Sequence, residues 1–350
     1  MKVWLGRLGV ALAALVLGLT FYNASWLADT PRGNVKLIAH RGAYQLYDTR
    51  GLAEDDCTAM RIETPWHSYI ENTVASLDQA KRHGAAMVEL DIAPTADGQL
   101  AVFHDQTLDC RTDGTGPVRA MTLAELGELD AGFGYSADGG KTFPLRGKGV
   151  GAIPSLERYV ETAGTKPLLF NFKGDDAREA DLLAEKLEAM GRDVEGIGDS
   201  FYGEAAPIER IRALYPEAWA YTEAEARACT TGYLKTGWFG IVPEACENGT
   251  IAIPINRQWL FAGWPNKLIA RMEEVGARVL VIGPHGGEDA PLGIDLPEQL
   301  GDIPASFNGW VMVDDIQAIG AALHPSLNRR RPMDDEALAR TLAQRRARRE

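Results

Sequence analysis

Residues 88–92, Val-Glu-Leu-Asp-Ile, alternate apolar and acidic side chains with a period of two. In an extended strand Val88, Leu90 and Ile92 therefore share one face, and Glu89 and Asp91 share the other. Two parallel carboxylates in a buried strand need a cation to neutralise them, and paired oxygens at this spacing suit a hard divalent ion. An exposed strand face is the alternative. Ala96-Asp97-Gly98 then reads as a turn, and the apolar run 100–103 delivers His104 and Asp105 at its end.

Strand-like and helix-like segments alternate along the rest of the chain. Strands are expected at 37–39, 168–173, 196–201, 218–221, 250–255, 278–282 and 310–313. Helices are expected at 180–190, 204–214, 267–275 and 316–323, and after Asn72, which is read as the cap of a helix ended by Gly84. This alternation favours a parallel α/β barrel over a sandwich. At 350 residues and 45% hydrophobic the chain can build one large barrel or two ordinary domains, and no Pro/Gly/Ser-rich linker divides its middle. Residues 42–70 are long for a strand-to-helix connection and, with Tyr44, Tyr47, Trp66 and Tyr69, read as a lid. Trp259, Phe261 and Trp264 follow a strand and are expected either to wall a pocket or to pack under a loop. Gly139-Gly140-Lys141-Thr142 is not a nucleotide loop, because the required earlier glycine is Tyr135 and no apolar strand leads in.

The ordered set His40-Arg41-Gly42, Glu71-Asn72-Thr73, Glu89-Leu90-Asp91, His104-Asp105 and Arg111-Thr112-Asp113-Gly114 resembles the glycerophosphodiester phosphodiesterase family over roughly residues 35–325. The resemblance implies a (β/α)8 TIM barrel that hydrolyses glycerol-type phosphodiesters to an alcohol and a phosphomonoester. It assigns His40 and His104 as the acid/base pair, Glu89 and Asp91 as ligands of a divalent cation (Mg2+ or Ca2+), and Arg41 and Lys173 as cations near the phosphate. Histidine suits both proton roles because its ordinary pKa is about 6.5. One position departs: the family's third acidic ligand is here Asn171, whose amide oxygen can coordinate but brings no charge. Glu71 is read as a hydrogen-bonding support behind the site. The alternatives are a membrane-held enzyme cutting lysophospholipids or phospholipids, and a headgroup-binding relative without activity; retention of both histidines argues against the latter.

The formal charge of −13 is uneven, since residues 326–350 hold eight arginines against four acids, leaving about −17 on the rest. Such a body repels nucleic acid. The expected divisions are an N-terminal segment 1–30, a barrel 33–325 and a basic tail 326–350, the last read as a solvated helix or disordered arm. Residues 8–22 are almost wholly apolar, follow Lys2 and Arg7, and are bracketed by Trp4, Tyr22 and Trp26. They read as a signal anchor holding the body on the non-cytoplasmic side, or as a signal peptide whose removal would secrete it. Within the implied barrel, Cys57 in the insert and Cys110 past His104 would pair if both loops cap one mouth, and Cys229 with Cys246 would form a second bridge. Four cysteines allow three pairings, and buried free thiols are the alternative. No feature fixes the oligomeric state.

Overall fold

In the computed structural model of the chain, residues 2–53, 56–286, 292–328 and 330–349 are described. Among the described residues nine strands form one sheet: β1 (Lys36–Ala39), β2 (Met87–Pro94), β3 (Leu100–Val102), β4 (Leu168–Phe172), β5 (Ser200–Gly203), β6 (Trp219–Tyr221), β7 (Thr250–Pro254), β8 (Arg278–Ile282) and β9 (Trp310–Val313). Eight run parallel in the order β6-β5-β4-β2-β1-β9-β8-β7, and β3 pairs antiparallel with β2. The sheet is thus a nearly closed parallel barrel with helices packed outside it, as the strand–helix alternation implies.

The main core lies between barrel and helices, where Leu37, Val88, Leu90, Phe170, Phe201, Ile251, Val281 and Val311 meet Leu77, Leu183, Ile208 and Ile319. β2 carries both purposes of the barrel. Val88, Leu90 and Ile92 point out into this core, while Glu89 and Asp91 point inward and are fully buried.

Several expectations are corrected. Segment 196–201 splits into a short helix, Val194–Ile197, and β5, because the left-handed Gly198 ends the helix first. Asn72 does not cap the helix Val74–Arg82; Thr73 does, in a capping box with Ser76. The basic tail is a helix, one of its two expected forms, but it packs on the body instead of standing in solvent; its Arg329 and Glu350 lie outside the described residues. Pro332–Arg349 is one helix, and Leu338 and Leu342 pack with Leu296 and Ala318, with Trp66 of the insert against them. Its Arg345 is 3% exposed and ion-paired to Glu63, Asp295 and Asp315. Leu338, Thr341, Leu342 and Arg345, at the i, i+3, i+4, i+7 spacing of one helix face, are buried and seat a helix whose overall composition is polar.

Cys57 is bonded to Cys110 and Cys229 to Cys246. The first ties the insert to the segment beyond His104. Within the insert, whose residues 54 and 55 lie outside the described ones, Tyr44, Ala59, Ile62 and Ile70 are buried, so it is a packed cover on the barrel. Lys2–Tyr22 is a helix long and apolar enough to cross a membrane, with none of its span packed inside the fold.

Candidate active site

The site gathers at the carboxyl ends of the parallel strands. His40 and Arg41 follow β1, Glu89 and Asp91 lie on β2, Asn171 lies on β4 with Lys173 just beyond, and Asp314 follows β9. β3 explains how His104 joins them. β2 runs past the rim and β3 folds back on it, so that Phe103 N–H bonds the Asp91 carbonyl at 3.0 Å and His104 returns beside the acids.

The backbone after β1 turns sharply, with Arg41 at φ 52° and Gly42 at φ 76°. A Cβ on Gly42 would collide with Ser76, so only glycine suits that step. The turn aims the Arg41 backbone N–H at Glu89 Oε2, 2.7 Å away, and sends its guanidinium inward to Glu71 Oε1 at 3.1 Å and His104 Nε2 at 2.6 Å. Glu71 also accepts from Arg111 Nε at 3.2 Å. Burial opposes ionisation of Glu71, but Arg111 and Arg41 hold its carboxyl below the ordinary range. Glu71 thus fixes two arginines from behind the site.

Both histidines are oriented by carboxylates. His40 Nδ1 lies 2.8 Å from Asp314 Oδ1, leaving Nε2 unbound by that partner. His104 Nδ1 lies 2.6 Å from Asp105 Oδ1. Because Arg41 can only donate, His104 Nε2 must be an acceptor, which puts the ring proton on Nδ1. Burial and the neighbouring Arg41 charge lower the His104 pKa to about 4, so the neutral ring prevails above that pH.

Asp91 receives Asn72 Nδ2 at 2.8 Å and Asn171 Nδ2 at 2.8 Å, with Arg41 Nε at 3.7 Å and Lys173 Nζ at 3.6 Å. Burial alone would favour the neutral acid, but His104, Lys173 and Arg41 hold Asp91 well below the usual carboxylate range. Glu89 goes the other way: burial first, and then the Asp91 charge, push its carboxyl up. Glu89 Oε1 also accepts from the Tyr202 hydroxyl at 2.7 Å. Asn171 Nδ2 is 2.8 Å from that hydroxyl and 3.3 Å from Glu89 Oε1, so its amide sits between the two acids.

These donors fit a hard divalent cation. Two carboxylates converge, one of them strained toward protonation by the other, and turning the Asn171 amide over would present a third oxygen. Among the described residues no cluster of three His, Cys, Asp or Glu side chains capable of holding a metal occurs.

A cavity of about 850 Å3 is lined by His40, Arg41, Tyr44, Asn171, Lys173 and Tyr202, with the insert and the C-terminal helix at its rim; His104, Glu89 and Asp91 are not in its lining. Trp259, Phe261 and Trp264 are not among its walls. Phe261 and Trp264 pack on the core and Trp259 is exposed. His285 lies at the rim. Tyr202 and Asp314 were not expected in the site. Their signals were an aromatic residue on a strand and an acid directly after a strand, and neither marks a site without knowing which strands are neighbours.

Residues 40–222 match the model of the glycerophosphoryl diester phosphodiesterase family. The chain belongs to that family. Among curated relatives it is 39% identical over 103 residues to the glycerophosphodiester phosphodiesterase of Caldanaerobacter subterraneus, covering 29% of this chain and 39% of that protein. It is 30% identical over 165 residues to the glycerophosphodiester phosphodiesterase of Bacillus subtilis, covering 44% and 47%. The chain thus spans less than half the length of these two relatives. Solved structures with the same fold include a glycerophosphodiester phosphodiesterase from Agrobacterium tumefaciens, with a TM-score of 0.53, 22% identity, and 83% of this chain and 99% of that one covered. Another is an Oleispira antarctica phosphodiesterase in complex with its product sn-glycerol-3-phosphate, with a TM-score of 0.50, 21% identity, and 82% and 96% covered. The match begins at His40 and includes Arg41, Glu71, Glu89, Asp91, His104, Asn171, Lys173 and Tyr202, whereas His285 and Asp314 lie beyond it.

Proposed function

We propose that this chain hydrolyses glycerol-type phosphodiesters to an alcohol and a phosphomonoester. The observation that carries the reading is the pair of carboxylate-oriented histidines, His40 with Asp314 at 2.8 Å and His104 with Asp105 at 2.6 Å, beside the cations Arg41 and Lys173. A phosphodiester is anionic with a poor leaving group, so its hydrolysis needs charge neutralisation, a base and an acid. His104, neutral above about pH 4, takes a proton through Nε2 from the water whose oxygen bonds to phosphorus, once the phosphate draws Arg41 away. The phosphorus–oxygen bond to the leaving alcohol breaks, and His40 Nε2 delivers a proton to that oxygen. Arg41 and Lys173 neutralise the phosphoryl oxygens.

Glu89, Asp91 and Asn171 would hold the divalent cation, Mg2+ or Ca2+, which when bound supplies further positive charge against the phosphate. The apolar helix, retained as a membrane anchor with the barrel on the non-cytoplasmic side, accords with the two disulfides. The barrel extends in this reading from residue 33 through the helix Pro332–Arg349, since that helix is part of the packed body. The test is release of choline or of glycerol 3-phosphate from glycerophosphocholine by the purified full-length protein, with and without EDTA. Absence of turnover under both conditions, and after adding back Mg2+ or Ca2+, would refute the proposal.

A further inference from the structure

The apolar helix is fastened to the barrel at a fixed joint. Asn23, 5% exposed, donates Nδ2 to the carbonyls of Leu19 and Trp238, both at 2.9 Å. Asn266 N–H bonds Ser25 Oγ at 3.0 Å. The Lys267 ammonium donates to the Tyr22 carbonyl and lies 4.2 Å over the Tyr22 ring, and Arg271 lies on the same ring at 5.7 Å. Gly240, at φ 79°, packs against the Tyr22 hydroxyl. A joint held from both sides of Tyr22 does not let the barrel swing freely about the helix end.

The joint lies at the amino end of the barrel. Residues 23–35 lead from the helix into the start of β1, and the loop holding Trp238 and Gly240 joins the helix Glu223–Thr236 to the start of β7. His40, His104, Asn171 and Lys173 belong to the opposite, carboxyl end. Around the joint the surface is apolar: Trp26 is 70% exposed, Phe239 63%, Ile241 58% and Leu27 44%. Phe21 of the helix stands edge-on to Trp26 at 5.7 Å, so this surface is continuous with the helix. Aromatic side chains beside a membrane-crossing helix are suited to the boundary between headgroups and hydrocarbon.

We infer that this amino-end surface, Trp26, Leu27, Phe239 and Ile241, rests on the lipid bilayer that the helix enters, so that the catalytic mouth opens away from the membrane and takes a water-borne diester. The inference rests on retention of the helix and deepens the proposed function by favouring a deacylated diester over a lipid embedded in the same bilayer.

The test uses full-length protein in vesicles of phosphatidylcholine and phosphatidylglycerol, carrying p-benzoylphenylalanine at position 239, 241 or 292. Leu292 lines the mouth and serves as the opposite pole. Illumination should give lipid adducts at 239 and 241 and none at 292. Adducts at 292, or none at 239 and 241 while the protein stays in the vesicles, overturn the inference. A freely soluble species lacking the helix overturns the tether and the inference with it. In the same vesicles, added glycerophosphocholine should be hydrolysed and the phosphatidylcholine left intact; hydrolysis of both at similar rates contradicts the orientation. Hydrolysis of neither strikes the proposed function instead, and the adduct pattern still decides the orientation.

Discussion

Arg41 donates to His104 Nε2, and its charge is one reason the imidazole stays neutral down to about pH 4. A base with a lowered pKa keeps its active form as pH falls, so the acid limb of kcat/KM should inflect near pH 4 and not near the ordinary value of about 6.5. An inflection at the ordinary value in the pH–rate profile would show that His104 is not the base. Asn171 sits between Glu89 and Asp91 as a neutral donor. Asn171→Glu should lower the thermal stability of the metal-free protein by adding a third buried charge, and tighten divalent-cation binding in calorimetric titration; Asp91→Asn should weaken it. Equal affinities in all three proteins would put Asn171 outside the cation site. The legibility of these residues was unequal for a physical reason. Glu89 and Asp91 are visible because strand alternation sets them opposite an apolar face within one segment. Tyr202 matters because it pairs in register with Asn171, and Asp314 because the Ala39–Val313 register brings the ends of β1 and β9 together. Register between strands distant in sequence is not written in either strand alone.

At the scale of elements, Asn72 is the instructive misreading. Its composition suits a helix cap, but at φ 58° its side chain bonds Asp91 twice, accepting from the backbone N–H at 3.1 Å and donating to Oδ2 at 2.8 Å. The adjacent Thr73 takes the cap. The packing of the C-terminal helix is not legible in the sequence because its three large apolar residues, Met333, Leu338 and Leu342, stand against five arginines, and the decisive contact is ionic. Arg345 faces Glu63 of the insert together with Asp295 and Asp315, all buried. Removing one partner of such a cluster leaves uncompensated buried charge, so Arg345→Ala should cost about 3–5 kcal/mol in denaturant unfolding. A loss no larger than that of an exposed ion pair, about 1 kcal/mol or less, would show that the helix does not hold the insert.

At the scale of the whole molecule, the barrel was legible from strand–helix alternation and motif order, whereas the closure of its mouth depends on parts far apart in sequence. The insert is held by the Cys57–Cys110 bond on one side and by Arg345 on the other. Non-reducing peptide mapping of exported protein should recover the Cys57–Cys110 and Cys229–Cys246 pairs, and loss of the first, which closes a separation of 53 residues, should cost about 2–4 kcal/mol. Free thiols at Cys57 and Cys110 would contradict that arrangement. The proposed cleavage of a glycerophosphodiester rests on the two carboxylate-oriented histidines. Its most direct test is turnover of glycerophosphocholine by the full-length protein beside His40→Ala and His104→Ala, with folding checked by circular dichroism. Each folded variant should lose roughly 10²-fold or more in kcat, and near-normal turnover in both would contradict the assignment.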